Sequence, residues 1–224
     1  MTRTLPPAIL AIGRNYAEHA AEMGGAAAGH QLGNPMVFMK NPASVTGHGE
    51  PIVIPSICKS PGPQVDFEGE LAVVIDRDCR DVTPVTALDF VRGYACANDV
   101  SARWWQKEGS GGQFCRGKSF DTFCPIGPVV TPSVVGDPQA LAIRTRVNGV
   151  IMQESSTSLM LFPIATLISE LSSGMTLLAG TVLLTGTPGG VGAARKPPVF
   201  LRHGDVVEVE IERVGLLRNP VIEA

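Results

Sequence analysis

Three acidic residues occur at every second position in one short segment of the chain. Asp66, Glu68 and Glu70 lie in Asp66-Phe67-Glu68-Gly69-Glu70-Leu71, directly before a run of Ala, Val and Ile. Side chains on a β-strand alternate between its two faces, so the spacing predicts that the three carboxylates share one face. Beyond Glu70 this face becomes apolar, which favours the lip of a cleft over a solvated strand.

The carboxylates of this segment have the chemistry of a site for a hard divalent cation. Mg²⁺ prefers oxygen ligands and keeps several of its waters. Glu68 and Glu70 would supply two ligands, and Asp99, which follows the apolar run 94–98, would supply a third. A solvated strand edge for the glutamates and a helix N-cap for Asp99 are the alternative interpretations.

A histidine and a glutamate three residues apart form a second candidate group. On a helix predicted over 16–23, His19 and Glu22 lie close enough to touch. A carboxylate beside an imidazole fixes its tautomer and raises its basicity, as a general base requires. An ion pair on a solvated helix face is the alternative. The glycine-rich run 24–29 follows, which predicts a mobile lid over 14–30.

The segment Gly117-Lys118-Ser119 places a lysine among small residues. Together with Gly112 it matches the letters of a phosphate-binding P-loop. No predicted strand leads into Gly112, and Pro125 and Pro128 prevent a following helix, so the context argues against a nucleotide site. We interpret Lys118 as a cation that faces the substrate.

The elements that must position these residues are short. Strands are predicted over 9–13, 36–40, 51–55, 67–76, 91–98, 141–147, 150–154, 181–186 and 206–212, and helices over 16–23, 83–90 and 163–171, with a helical turn over 101–108. Asn15 is predicted to cap the first helix. The turn at 185–192 either binds a carboxylate through its N–H groups or simply closes a tight turn. Because helices do not alternate regularly with strands, the pattern predicts an α+β, β-rich fold.

Composition excludes several classes of protein. The 224 residues include 44% hydrophobic and 17% charged residues, which excludes a disordered chain. With 18 Lys and Arg against 21 Asp and Glu, the net charge is −3, which argues against a nucleic-acid partner. We expect one domain over 1–224, no membrane partner and, without a leader peptide, a cytoplasmic location. Five cysteines without a CxxC pair indicate neither a disulfide framework nor a zinc site.

Five motifs, in this order, resemble the fumarylacetoacetate hydrolase superfamily over nearly the whole chain. They are Ile12-Gly13-Arg14-Asn15-Tyr16, Asp66-Phe67-Glu68-Gly69-Glu70-Leu71, Asn98-Asp99-Val100-Ser101-Ala102-Arg103, Gly117-Lys118-Ser119-Phe120-Asp121-Thr122-Phe123-Cys124-Pro125 and Thr185-Gly186-Thr187-Pro188. The resemblance is to compact members, and it implies a mixed β-sandwich roll with few short helices. It also implies a homodimer with one Mg²⁺ per subunit, for which Mn²⁺ or Ca²⁺ can substitute.

The resemblance also implies a role for individual residues. The metal ligands would be Glu68, Glu70 and Asp99; the catalytic residues would be His19, Glu22 and Lys118; and the substrate-binding residues would be Arg14, Arg103, Gln106 and Thr187. The chain departs from the pattern at Trp104, where many members carry an acidic residue, and this departure bears on specificity.

The resemblance implies a metal-dependent hydrolase that cleaves the C3–C4 bond of a 2,4-diketo acid, an acylpyruvate or fumarylpyruvate. In that reaction His19 activates water, and pyruvate leaves as an enolate stabilised by the metal, Lys118 and Arg103. Oxaloacetate decarboxylation and isomerisation of a 2-hydroxyhepta-2,4-diene-1,7-dioate remain alternatives, because both use the same enolate site. A metal- or carboxylate-binding protein without activity is the alternative outside enzymes.

Overall fold

The computed structural model describes residues 5–24 and 33–224. The strands are β1 (Ile9–Gly13), β2 (Met36–Lys40), β3 (Val45–Thr46), β4 (Ile52–Ile54), β5 (Val65–Asp66), β6 (Gly69–Ile75), β7 (Val91–Asn98), β8 (Ser101–Ala102), β9 (Cys124–Pro125), β10 (Ala142–Val147), β11 (Val150–Ser156), β12 (Val182–Leu184), β13 (Val206–Ile211) and β14 (Gly215–Glu223). The α-helices are α1 (Ala17–Glu22), α2 (Arg103–Gln106), α3 (Phe114–Gly117), α4 (Pro132–Val135) and α5 (Ile164–Ser172).

Two five-stranded sheets dominate the fold. The first has the order β2-β1-β12-β6-β7 and the second β11-β10-β13-β14-β4. Within them β1 is parallel to β12 and β14 to β4, and the other pairs are antiparallel. The helices are short and do not alternate with the strands. The prediction of a strand-rich α+β fold is therefore confirmed.

The main core lies between the two sheets and α5. Leu71 and Val73 of β6 share one buried cluster with Ile143 and Val209 of the second sheet and with Leu167 of α5. Burial of each aliphatic side chain of this kind contributes roughly 1.5–3 kcal/mol. The opposite face of β6 is buried as well, in a second cluster. This double burial makes β6 a rigid base for the acidic residues at its start.

The acidic segment is not one continuous strand. The prediction of a strand from residue 67 is wrong at its beginning, because β6 starts at Gly69. Asp66 Oδ1 accepts the N–H of Phe67 at 2.9 Å, and the Asn98 side chain accepts the N–H of Glu68 at 2.9 Å. These side chains satisfy backbone donors that a continuous strand would pair with its neighbour.

The helix predicted over 83–90 is also wrong. Only a single 3₁₀ turn, Ala87–Phe90, forms there. The Thr83 and Thr86 hydroxyls lie 3.1 Å apart, and the Thr86 N–H donates to the Thr83 carbonyl. Local bonds of threonine compete with helix formation in this way.

Asn15 does not cap α1. Tyr16 is the N-cap residue, and it forms no capping side-chain bond. The Asn15 amide instead donates to the carbonyls of Thr185 and Phe162, at 2.8 and 3.1 Å. Asn15 therefore ties the start of α1 to the turn that follows β12.

Sequence patterns missed β14 altogether, since Pro220 interrupts its alternation. The predicted lid over 14–30 extends beyond residue 24, and that part lies outside the described residues. No helix in the described part of the chain has the length and apolarity needed to cross a membrane. A single domain over 1–224 and a homodimer stay predictions.

Candidate active site

Three buried carboxylates meet where β6 begins and β7 ends. Glu70 opposes Ala97 in the β6–β7 ladder, Glu68 directly precedes β6, and Asp99 directly follows β7. One oxygen from each of the three lies within 4.8 Å of the others. Their exposed fractions are 4% for Glu68, 1% for Glu70 and 0% for Asp99. Neither a solvated strand edge nor an exposed helix cap describes this cluster.

Two lysines neutralise part of the cluster. Lys118 Nζ donates to Glu68 at 2.7 Å and to Asp99 at 2.5 Å. Lys40 Nζ donates to the other oxygen of Asp99 at 2.5 Å. Burial alone would lower the pKa of Lys118, but Asp99 and Glu68 outweigh it and raise that pKa, so the ammonium stays charged. Lys40 is not among the site residues predicted from the sequence.

Glu70 lacks a cationic partner of this kind. It forms no ion pair within residues 5–24 and 33–224, and its Oε2 accepts the N–H of Gly186 at 2.7 Å. Burial raises the pKa of Glu70 well above its usual value, and Asp99 and Glu68 raise it further. Burial also opposes ionisation of Glu68, but Lys118 and Arg103 more than compensate and lower its pKa.

This arrangement fits a divalent cation. A cation beside Glu70 would supply the ion-pair partner that Glu70 lacks among the described residues. The donors are hard carboxylate oxygens of the kind that Mg²⁺ takes. Only glycine suits position 186, whose N–H binds Glu70. Its φ is +96°, and the Cβ atom of any other residue would lie 2.7 Å from Cβ of Asn15. The donor set does not select among Mg²⁺, Mn²⁺ and Ca²⁺.

Arg103 is fixed at the edge of the cluster by Asp66. Its Nε and Nη2 donate to Asp66 Oδ2 at 2.9 and 2.6 Å, and Nη1 donates to Glu68 at 2.5 Å and to Gln106 at 3.0 Å. Asp66 in turn accepts the N–H groups of Gly192 and Ala193. These charge-assisted bonds set the orientation of Arg103.

His19 and Glu22 form the predicted pair. His19 Nδ1 lies 2.9 Å from Glu22 Oε1, and Glu22 Oε2 accepts the N–H of Gly190 at 2.8 Å. When Nδ1 carries the proton and donates it to Glu22, Nε2 is the free acceptor. His19 is 7% exposed, so this pair is not a solvated surface bridge.

One cavity of about 60 Å³ connects the predicted residues. Seven of the ten line it, namely Arg14, His19, Glu68, Arg103, Gln106, Lys118 and Thr187. The other three, Glu22, Glu70 and Asp99, lie behind this lining and bond to its members or to the backbone. The structure therefore brings together residues that the sequence separates by more than a hundred positions.

Thr187 contributes to the cavity wall with its hydroxyl already bonded. Its Oγ1 donates to the Gly69 carbonyl at 2.9 Å and accepts from Gln153 Nε2 at 2.7 Å. Gln153 also accepts the N–H of Gly69 at 3.0 Å and donates to the Pro188 carbonyl at 2.9 Å. Gln153, on β11 of the second sheet, thus holds β6 and the turn after β12 together. Gln153 is not among the site residues predicted from the sequence.

Comparison with known proteins identifies the family. The pattern described as Fumarylacetoacetate (FAA) hydrolase C-terminal matches residues 8–222. The chain belongs to this family. The predicted resemblance is confirmed, and the chain is a member of a family of enzymes.

Relatives within the fumarylacetoacetate hydrolase family bear several activity names. An oxaloacetate tautomerase of Xenopus laevis is 46% identical over 220 residues, which are 98% of this chain and 66% of the relative. An oxaloacetate tautomerase of Bacillus subtilis is 46% identical over 214 residues, which are 95% of this chain and 69% of the relative. The chain thus spans about two thirds of the length of these tautomerases.

Solved structures of the family share the fold. A 5-carboxymethyl-2-hydroxymuconate delta-isomerase from Mycobacterium smegmatis has a TM-score of 0.83 and 43% identity, with 98% of this chain and 80% of that one covered. A fumarylacetoacetate hydrolase from Exiguobacterium antarcticum has a TM-score of 0.87 and 45% identity, with 100% and 80% covered. The names of the two tautomerases and of the isomerase favour the predicted alternative of isomerisation over hydrolysis of a C–C bond.

Proposed function

We propose that the chain catalyses metal-dependent proton transfer at C3 of a small 2-oxo acid, a tautomerisation or isomerisation that breaks no C–C bond. One observation carries the proposal: His19, oriented by Glu22, faces the same cavity as Glu68 and Lys118 at the carboxylate cluster. A base and an electrophilic centre on one small cavity are what enolate formation needs. Oxaloacetate is the first substrate to test, because similar proteins are named for it.

The carboxylate cluster would hold the cofactor. A divalent cation bound by Glu68, Glu70 and Asp99 would act as a Lewis acid toward the 2-oxo group. Arg103 and Lys118 lie beside those carboxylates, so they would stabilise the negative charge that develops on the substrate oxygens.

His19 moves the proton. When an enol becomes a keto acid, its 2-hydroxyl loses a proton and C3 gains one. The imidazolium of His19 donates from Nε2 to C3, and the proton released from the hydroxyl passes through solvent to restore the imidazolium. In the reverse direction, Nε2 of neutral His19 accepts the proton from C3. Glu22 keeps the ring oriented in both directions, because it binds Nδ1 and is itself held by Gly190.

The hydrolase and decarboxylase alternatives use the same residues but release pyruvate. Hydrolysis requires His19 to activate a water that attacks C4, and decarboxylation requires loss of carbon dioxide from oxaloacetate. Product analysis therefore separates the three reactions more directly than mutagenesis does.

The test follows the ultraviolet absorbance of enol oxaloacetate and, in parallel, pyruvate through a coupled dehydrogenase. We expect faster enol decay with Mg²⁺, loss of that acceleration with EDTA, and no pyruvate. His19→Ala should lower the rate on the order of 10²–10⁴-fold. His203→Ala, which removes a histidine outside the cavity lining, is the matched control and should have no effect.

Two results would overturn the proposal. EDTA-sensitive pyruvate from acetylpyruvate or fumarylpyruvate, formed faster than any enol decay, would establish the hydrolase. Pyruvate from oxaloacetate as the main product would establish a decarboxylase.

A further inference from the structure

We propose that Lys107 binds the distal carboxylate of a dicarboxylic 2-oxo acid and so makes the cavity selective for diacids. The inference rests on the proposed function, since the other end of the acid would occupy the carboxylate cluster. Lys107 belongs to none of the motifs that carry the family resemblance.

The two buried cations of the cavity, Arg103 and Lys118, are already engaged, whereas Lys107 is exposed. Arg103 binds Asp66 and Glu68, and Lys118 binds Glu68 and Asp99. Lys107 lines the same cavity, but its ammonium forms no ion pair or hydrogen bond with any residue in 5–24 and 33–224. A cation that no described residue pairs with, at the mouth of the cavity, is available to a ligand carboxylate.

The backbone of Lys107 is held in place, although its ammonium has no partner in the part of the chain that the structure describes. The Lys107 carbonyl accepts the N–H of Gly112 at 2.7 Å and that of Ser110 at 3.4 Å, and the Lys107 N–H donates to the Trp104 carbonyl at 3.2 Å. A fixed Cα position limits the region that the ammonium can reach, so the charge stays near the cavity.

Lys107 stands where the cavity opens into a second groove. Arg103 and Lys107 line both, and the groove continues along Pro63, Trp104 and Phe200 with a volume of about 380 Å³. A substrate held at its 2-oxo end would therefore extend past Lys107 as it leaves the cavity.

Charge at this opening favours an anion. Trp104 occupies the position where the family resemblance leads us to expect an acidic residue, so one negative charge is absent from the groove wall. Glu108 is the single acidic residue on the described lining of the groove, and it forms no ion pair with Lys107. Arg14 also lines the cavity and has no ion-pair partner among the described residues. Its φ of 58° is a conformation that a residue with a side chain rarely adopts.

The test compares two ligands with the same carbon skeleton, 2-oxoglutarate and 2-oxopentanoate, which differ only in the distal carboxylate. Calorimetry with Mg²⁺ measures their binding, and oxalate, which has no distal end, reports the metal-proximal part of the site. Wild-type protein should bind 2-oxoglutarate more tightly than 2-oxopentanoate. Lys107→Ala should weaken 2-oxoglutarate binding roughly five- to tenfold and leave oxalate and 2-oxopentanoate unchanged. Lys107→Arg should retain the preference.

Lys196→Ala is the matched control, because Lys196 is exposed and lies outside the lining of both cavities. Equal weakening of all three ligands by Lys107→Ala would show a general electrostatic or structural effect and overturn the proposal. So would equal wild-type affinity for the two oxo acids, or an absence of binding. These measurements involve no turnover, so they remain decisive for Lys107 if the tautomerase assay fails.

Discussion

Replacing Glu22 by glutamine tests how the base is oriented. Glu22 accepts from two donors at once, His19 Nδ1 at 2.9 Å through Oε1 and the Gly190 N–H at 2.8 Å through Oε2. Glutamine has one acceptor oxygen and one NH₂ group, so Glu22→Gln can satisfy only one of the two. If its oxygen stays on Gly190, its NH₂ faces Nδ1, and this favours the tautomer that is protonated on Nε2.

The size of the effect follows from this geometry. In the keto-to-enol direction, a neutral histidine protonated on Nε2 cannot accept the proton from C3. Enol decay passes through the same transition state in reverse, so it loses the same contribution of general acid–base catalysis, on the order of 10²–10⁴-fold. The loss of one charge-assisted hydrogen bond costs about 1.5–3 kcal/mol, at the lower end here because the Glu22 side chain is 22% exposed. We therefore expect a large fall in kcat and a small fall in melting temperature.

The assay measures kcat for enol decay together with Mg²⁺ affinity. Glu18→Gln is the matched control, because it makes the same change on the exposed side of the same helix. We expect Glu22→Gln to lower kcat at unchanged Mg²⁺ affinity, and Glu18→Gln to change neither. An unchanged kcat in Glu22→Gln, or an equal fall in both variants, would refute the role assigned to Glu22.

Three further perturbations probe the cluster and its support. Glu70→Gln should weaken Mg²⁺ binding at least tenfold by calorimetry, because it removes a charged ligand, and unchanged affinity would exclude Glu70 from the metal site. Lys40→Met leaves the buried Asp99 with one cation fewer, so chemical denaturation without metal should show a loss of about 3–5 kcal/mol; a stability loss under 1 kcal/mol would contradict the ion pair. Gln153→Leu removes the bonds to Gly69, Thr187 and Pro188, so we expect roughly 2–4 kcal/mol of destabilisation and a higher KM, and wild-type behaviour would show that Gln153 does not support the site.

Local patterns predicted the elements at the centre of the site well. The apolar run that ends in Asn98 forms β7 over the predicted residues, and Asp99 follows it as expected. The edge strand β2 and the first strand β1 also have their predicted bounds. Each of these strands is specified by a contiguous stretch of apolar residues, which is information that a sequence carries directly.

The contacts that the sequence did not predict join residues that are distant along the chain. Lys40 binds Asp99 although β2 and β7 are the opposite edges of one sheet, and Gln153 reaches Gly69 from the other sheet. Asn15 has the residue type of a helix cap, but bonds to residues more than a hundred positions away outcompete the local one. Position in the sequence alone does not reveal such partners, whereas the three-dimensional fold does.

Deuterium incorporation measures the proposed proton transfer most directly. Enol oxaloacetate would be converted in D₂O with Mg²⁺, and proton NMR would follow C3 against the uncatalysed rate. The account predicts that wild-type protein accelerates the appearance of one deuterium at C3 without C–C cleavage, and that His19→Ala abolishes the acceleration while binding Mg²⁺ normally. Acceleration that survives in His19→Ala, or cleavage to pyruvate in place of the keto acid, would contradict it.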